Sequence, residues 1–132
     1  MVRLSDFRGQ HHVVVAFHPL SFTPNCSNQV QSYEREKATI AALDAVVLAI
    51  STDAGPSKRA WADSLGGLSY HLLSDFYPQG EVSRQYGALR DDGLSERAIV
   101  IVDKEGIVRR TRLYQMDDQA PIEDVIDALR SL

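Results

Sequence analysis

Two uninterrupted apolar runs, Val13-Val14-Val15-Ala16-Phe17 and Ala45-Val46-Val47-Leu48-Ala49-Ile50, constrain this chain more than anything else in it. Both are too short for ordinary helices and rich in β-branched residues. Neither shows the alternation of a strand with one wet face, so each reads as a strand covered on both sides. Between them, residues 27–42 carry Val30, Tyr33, Ala38, Ile40 and Ala41 among polar and charged neighbours, the pattern of an amphipathic helix. A strand, a helix and a second strand at this spacing close as a crossover with the two strands parallel.

The remainder extends that unit. Turn formers at 51–56 lead into a helical stretch at 57–65 that contains Trp61 and Leu65 and stops at Gly66-Gly67. A short extended piece is expected at 68–73 and a short helix at 80–86, ended by Gly87. Residues 97–103 form another apolar strand, joined through Lys104-Glu105-Gly106 to a strand at 107–114, with glycine where a hairpin tolerates positive φ. After Pro121, residues Ile122, Val125, Ile126 and Leu129 fall at helical spacing in a last helix, 122–132. This order is that of an α/β, thioredoxin-like domain with a central mixed β-sheet flanked by helices.

The 132 residues suit a single domain, 1–132, with a real core. A net charge of -4 argues against a nucleic-acid partner. No apolar run reaches membrane-spanning length, no cleavable signal is evident, and a lone cysteine makes no internal disulfide. The expectation is a cytoplasmic protein without membrane association.

That lone cysteine, Cys26, closes the segment Pro19-Leu20-Ser21-Phe22-Thr23-Pro24-Asn25-Cys26, where the first strand gives way to the helix. The Thr23 hydroxyl is expected to cap the helix, Pro24 to take the first helical position and Cys26 to lie in the first turn. Orphan N–H groups and the positive end of the helix dipole favour a thiolate there. A core cysteine acting as a small hydrophobe is the alternative, but core cysteines need no turn and cap chemistry beside them.

The spacing Pro19-x-x-x-Thr23-x-x-Cys26, together with Arg97 at the start of a late strand, resembles the active-site signature of the peroxiredoxins. The resemblance runs from about Leu4 to the C-terminus. It points to the one-cysteine members of the alkyl hydroperoxide reductase E type through Phe17-His18-Pro19-Leu20-Ser21-Phe22-Thr23 and Leu72-Leu73-Ser74-Asp75-Phe76-Tyr77-Pro78-Gln79-Gly80, continued by Val82-Ser83-Arg84-Gln85-Tyr86-Gly87. It implies reduction of hydrogen peroxide or an organic hydroperoxide by a Cys26 thiolate, without a cofactor. In that reading Pro19 shields the sulfur, the Thr23 hydroxyl contacts thiolate and peroxide, and Arg97 supports the thiolate and holds the substrate. With no second cysteine, an external thiol or small redox protein is the expected reductant. A homodimer is expected by the same resemblance.

Two departures stand out. The family commonly has glutamate three residues after the cysteine, where this chain has Gln29, and relatives begin with an N-terminal hairpin that this chain is expected to lack. Both features favour an alternative, a peroxiredoxin-like redox sensor or binding module with little turnover. A disulfide oxidoreductase is disfavoured because there is no C-x-x-C. His11, His12, His18 and His71 lack metal-ligand spacing, so no metal is expected. Arg109, Arg110 and Arg112 read as a solvated face, and Trp61, Phe76 and Tyr77 as core or subunit-interface residues.

Overall fold

The two apolar runs lie side by side at the centre of a five-stranded sheet. In the computed structural model, which describes residues 2–132, β1 (His12–Phe17) and β2 (Ala45–Ser51) pair in parallel, Val13 opposite Val46 and Phe17 opposite Ile50. On the far side of β2 lies β3 (His71–Ser74), also parallel. On the other side of β1, β4 (Arg97–Val102) runs antiparallel and is followed at the edge by antiparallel β5 (Val108–Tyr114). The order β3-β2-β1-β4-β5 is the mixed, thioredoxin-like sheet expected from the sequence. Gly106, at φ +84°, makes the turn between β4 and β5 in a conformation that β-branched residues avoid. No hairpin precedes β1 among the described residues; a 3₁₀ turn, Leu4–Phe7, lies there instead.

The helices are α1 (Pro24–Arg35), α2 (Lys37–Ala42), α3 (Gly55–Ser64), α4 (Glu81–Gln85) and α5 (Ile122–Arg130). The crossover expected as one helix is two, because Glu36 leaves the helical basin at φ -100°, ψ 17°. Its carboxylate accepts the Thr39 hydroxyl, and the bend lets Ile40 pack in the same cluster as Tyr33. No glycine or proline marks that break, so periodicity alone passes over it.

Alternation along the strands assigns the two faces. Val14 and Ala16 of β1, Ala45 and Val47 of β2, and Ile99 and Ile101 of β4 meet Tyr33, Ile40, Val125, Ala128 and Leu129 from α1, α2 and α5. On the opposite face Val13, Val15, Phe17, Leu48, Ile50, Val100 and Val102 pack against Leu4, Phe7, Tyr86 and Ala88. Both faces of β1 and β4 are therefore dry, which is why these strands read as continuous apolar runs. Arg97 shares its parity with Ile99 and Ile101, so the first residue of β4 aims a guanidinium at the face that α1 covers. Among the described residues, no helix is long and apolar enough to cross a membrane.

Candidate active site

The site forms where β1 ends and α1 begins. The chain leaves β1 through His18 and Pro19, both buried, and turns at Leu20–Thr23. Phe22 adopts φ +67°, a left-handed conformation that costs an ordinary residue roughly 1–2 kcal/mol. Two anchors hold the turn. The Thr23 hydroxyl donates to the Leu20 carbonyl at 2.9 Å, and the Ser21 backbone N–H and hydroxyl both donate to Asp53 Oδ2 at 2.9 Å.

Helix α1 starts at Pro24, as expected, with Thr23 in the N-cap position. One expectation is corrected: the Thr23 hydroxyl makes no capping hydrogen bond, because its proton goes back to Leu20 and closes the turn instead. The residue sets the helix start through its extended backbone, whose carbonyl accepts the Ser27 N–H. Asn25 Nδ2 donates to the Asp117 carbonyl, tying this first turn to the loop between β5 and α5.

Cys26 follows in the first turn and is only 1% exposed, packed with Val30, Ala49 and Trp61. Arg97, 2% exposed, reaches it from the start of β4. Its Nη2 donates to Cys26 Sγ at 3.2 Å and to the Met116 carbonyl at 3.2 Å, while Nη1 donates to Gln29 Oε1 at 2.5 Å. Gln29 Nε2 donates in turn to the Tyr33 hydroxyl at 2.9 Å. Burial keeps the Tyr33 phenol protonated well beyond its ordinary range. Nε of Arg97 is buried without a partner among the described residues.

A cation buried beside a sulfur is costly unless its donors are used, so the ring of acceptors around Arg97 is what makes the arrangement tenable. The fixed fork of the guanidinium satisfies Gln29 and Met116 while keeping one N–H on the sulfur. Of the residues expected from sequence, Cys26 and Arg97 are brought into direct contact. Thr23 and Pro19 shape the turn leading to Cys26, Thr23 by its hydrogen bond and Pro19 as a buried link directly after His18.

Gln29, which the sequence marked as a departure from the family's glutamate, is buried and accepts from Arg97. Sequence reasoning missed other contributors. The Met116 carbonyl belongs to a loop with no pattern to flag it. Trp61 is core as expected, and its indole N–H donates to Ser27 Oγ at 3.1 Å, next to Cys26. Phe76 and Tyr77 are not core, being 56% and 89% exposed. Among the described residues no group of three or more histidine, cysteine, aspartate or glutamate side chains is placed to hold a metal ion.

Comparisons with known proteins point the same way as this geometry. A family model described as the AhpC/TSA family matches residues 1–111. The alkyl hydroperoxide reductase E of Mycobacterium bovis is 32% identical over 133 residues, covering 100% of this chain and 86% of that protein. A chloroplastic 2-cysteine peroxiredoxin of Chattonella marina var. antiqua is 31% identical, covering 99% of this chain and 69% of the relative. Among solved structures, reduced Plasmodium vivax 2-Cys peroxiredoxin superposes with a TM-score of 0.90 at 27% identity, covering 98% of this chain and 69% of that one. Enterococcus faecalis AhpC gives a TM-score of 0.90 at 26% identity, with 98% and 78% covered.

Proposed function

The chain belongs to the AhpC/TSA family of peroxiredoxins, and from that premise we propose that its single domain, 1–132, reduces peroxides through Cys26, with Arg97, Thr23 and Pro19 as the supporting residues. It is a thiol peroxidase of the one-cysteine kind, with a peroxide as substrate and thiol-based reduction to restore it. The observation that carries the residue assignment is the 3.2 Å contact between Arg97 Nη2 and Cys26 Sγ in a buried setting.

The Cys26 thiolate attacks the terminal oxygen of the peroxide; an S–O bond forms and the O–O bond breaks. Sulfur is oxidised to sulfenic acid, and the leaving alkoxide or hydroxide takes a proton to become alcohol or water. Arg97 supports the thiolate before attack and offers N–H donors to the charge that develops on the departing oxygen. The turn closed by Thr23, with Pro19 behind it, limits bulk water at the sulfur. A first external thiol then condenses with the sulfenic acid to a mixed disulfide and water, and a second thiol releases Cys26. That dependence on reduced thiols suits a reducing compartment such as the cytoplasm.

Pairing into a homodimer is part of this reading. Leu20, Phe22, Phe76 and Tyr77 are large exposed apolar residues in the loops that follow β1 and β3.

The test is rapid mixing of reduced protein with a small excess of hydrogen peroxide, following Cys26 oxidation in the wild type, Cys26→Ser and Arg97→Ala. The expected result is oxidation far faster than a free thiol in solution, collapsing in the Arg97 variant. A wild-type rate no better than a free thiol overturns the reading, and fast oxidation without turnover by added thiols assigns a sensor instead.

A further inference from the structure

Behind the reactive sulfur lies a second buried cation that the mechanism above does not use. Lys58, on α3, is 2% exposed. Its ammonium lies 3.1 Å from His18 Nε2 and 2.6 Å from Ser51 Oγ, and Ser51 passes its own proton to Asp53 Oδ2 at 2.5 Å. Nζ also stands 6.0 Å from the centre of the Trp61 ring, which packs on His18 at 5.2 Å and against Cys26. The same Trp61 holds Ser27, the neighbour of Cys26, through its indole N–H.

Four elements bring charged or titratable groups to Lys58 and its partner His18, while β3, which also packs on α3, carries the titratable His71 at its exposed start. His18 comes from the end of β1, Asp53 from the end of β2, Cys26 from α1, and Arg97 from β4 lies within electrostatic reach of His18. His18 cannot share a positive charge with Lys58 at this distance. Burial and the charges of Lys58 and Arg97 hold it neutral, well below its ordinary range. Neutral His18 accepts at Nε2 only as the tautomer protonated at Nδ1, an atom that is buried with no partner among the described residues. Lys58 thus lacks a carboxylate against it and meets Asp53 through a hydroxyl. Burial pushes its amine from 10.5 down to about 7, opposed by Asp53 and by negative charge on Cys26.

We propose that Lys58 is a titratable positioning residue for the Cys26 site: as an ammonium, backed by His18 and lying against Trp61, it supports the thiolate, and on losing its proton it withdraws that support. Arg97 is charged at every accessible pH and sets a constant field. Lys58 adds a component that weakens as pH rises through neutrality. The inference rests on the thiol chemistry proposed above, but linkage gives it an independent readout. If the ammonium favours the thiolate, the thiolate favours the ammonium to the same degree.

The experiment follows the Cε chemical shifts of labelled lysines against pH in the wild type and in Cys26→Ser, with Lys37 and Lys104, the chain's other lysines, as exposed internal references. Lys58 is expected to titrate near neutrality, and its midpoint to move down by about one pH unit in Cys26→Ser. This outcome does not depend on turnover. In parallel, the rate of Cys26 oxidation by hydrogen peroxide is measured across the same pH range in wild type, Lys58→Arg and Lys58→Met. The wild-type rate is expected to fall about tenfold on the alkaline side relative to Lys58→Arg, which keeps its charge, while Lys58→Met lacks the neutral-range decline. An unchanged Lys58 midpoint in Cys26→Ser overturns the proposal even if the peroxidase activity is high. If oxidation is slow at every pH but the midpoint shifts, the peroxidase reading fails while the coupling of Lys58 to Cys26 stands.

Discussion

Gln29 Oε1 accepts a hydrogen bond from Arg97 Nη1 at 2.5 Å, inside the protein and out of contact with water. A neutral amide therefore steers the guanidinium onto Cys26, and Tyr33 fixes the amide in turn. Removing the acceptor strands a buried charged donor, which costs about 1–3 kcal/mol. Gln29→Ala is expected to destabilise the protein by that order and to slow Cys26 oxidation about tenfold. Gln29→Glu keeps an acceptor for Nη1, and Tyr33 can then donate to the carboxylate. The added negative charge tightens the hold on Arg97 but offsets part of its field at the sulfur. Its rate is expected to stay within about tenfold of wild type, so a collapse in stopped-flow oxidation would contradict the steering role.

Arg97 is a fork serving three acceptors at once, and no other side chain reproduces it. Arg97→Lys retains charge but offers a point donor that cannot serve Sγ, Gln29 and Met116 together. The expected loss in oxidation rate is about a hundredfold or more for Arg97→Met and intermediate for Arg97→Lys. Thermal unfolding of the same samples separates a chemical loss from a folding loss. Equal rates in all three proteins would remove Arg97 from the reaction.

Thr23 acts first on the shape of the turn. Its hydroxyl closes Leu20–Thr23 against the left-handed strain at Phe22. Thr23→Val, nearly the same size, is expected to cost about 1 kcal/mol in urea unfolding and to slow oxidation, and Thr23→Ser to recover both. If Thr23→Val oxidises slowly with full stability, the hydroxyl acts on the reacting atoms and the turn is secondary.

How much of this was legible beforehand follows from where each signal resides. The β1–α1–β2 unit and the β4–β5 hairpin were readable because strands dry on both faces must be continuously apolar and a tight turn needs Gly106. The placement of Cys26 was readable because Pro24 and Thr23 are local chemistry. The contact between Cys26 and Arg97 spans 71 positions, and the spacing of the sequence does not encode it. Only the family resemblance brought Arg97 forward. Gln29 was marked only as a departure from the family's glutamate, and its hold on Arg97 needs the fold to bring the two together. Met116 and Lys58 were missed for a related reason: Lys58 looks like a solvated helix residue until the fold buries it, and a backbone carbonyl carries no side-chain signature at all. The break at Glu36 and the redirected Thr23 proton are local, but each goes with a side-chain hydrogen bond, Thr39 to Glu36 and Thr23 to Leu20, that hydrophobic periodicity does not report.

Buried Lys58 and His18 together give the stability an unusual pH dependence. The Lys58 amine sits at about 7 in the folded protein against 10.5 for its ordinary value, so between those limits the unfolded chain holds a proton that the native state has released. Stability therefore rises with pH across that window, by an amount on the order of 5 kcal/mol for the full shift. His18, held well below 6.5, has the same sign: as pH falls below about 6.5 the unfolded chain is protonated first and stability drops. The Tyr33 and Tyr70 phenols act in the opposite sense. Their raised folded values mean that above about 10 the unfolded chain loses protons first, and stability declines. The stability maximum is therefore expected between about pH 9 and 10, on the alkaline side of the usual range. Urea midpoints measured from pH 6 to about 10 would trace it. Lys58→Met is expected to flatten the rise above neutrality and to shrink the acid limb without removing it, because burial, the larger cause, still holds His18 down once the Lys58 charge is gone. A wild-type midpoint that stays level from about pH 7 to 9.5 would mean that Lys58 keeps its proton in the folded protein and that the buried ammonium is better compensated than its contacts with His18 and Ser51 imply.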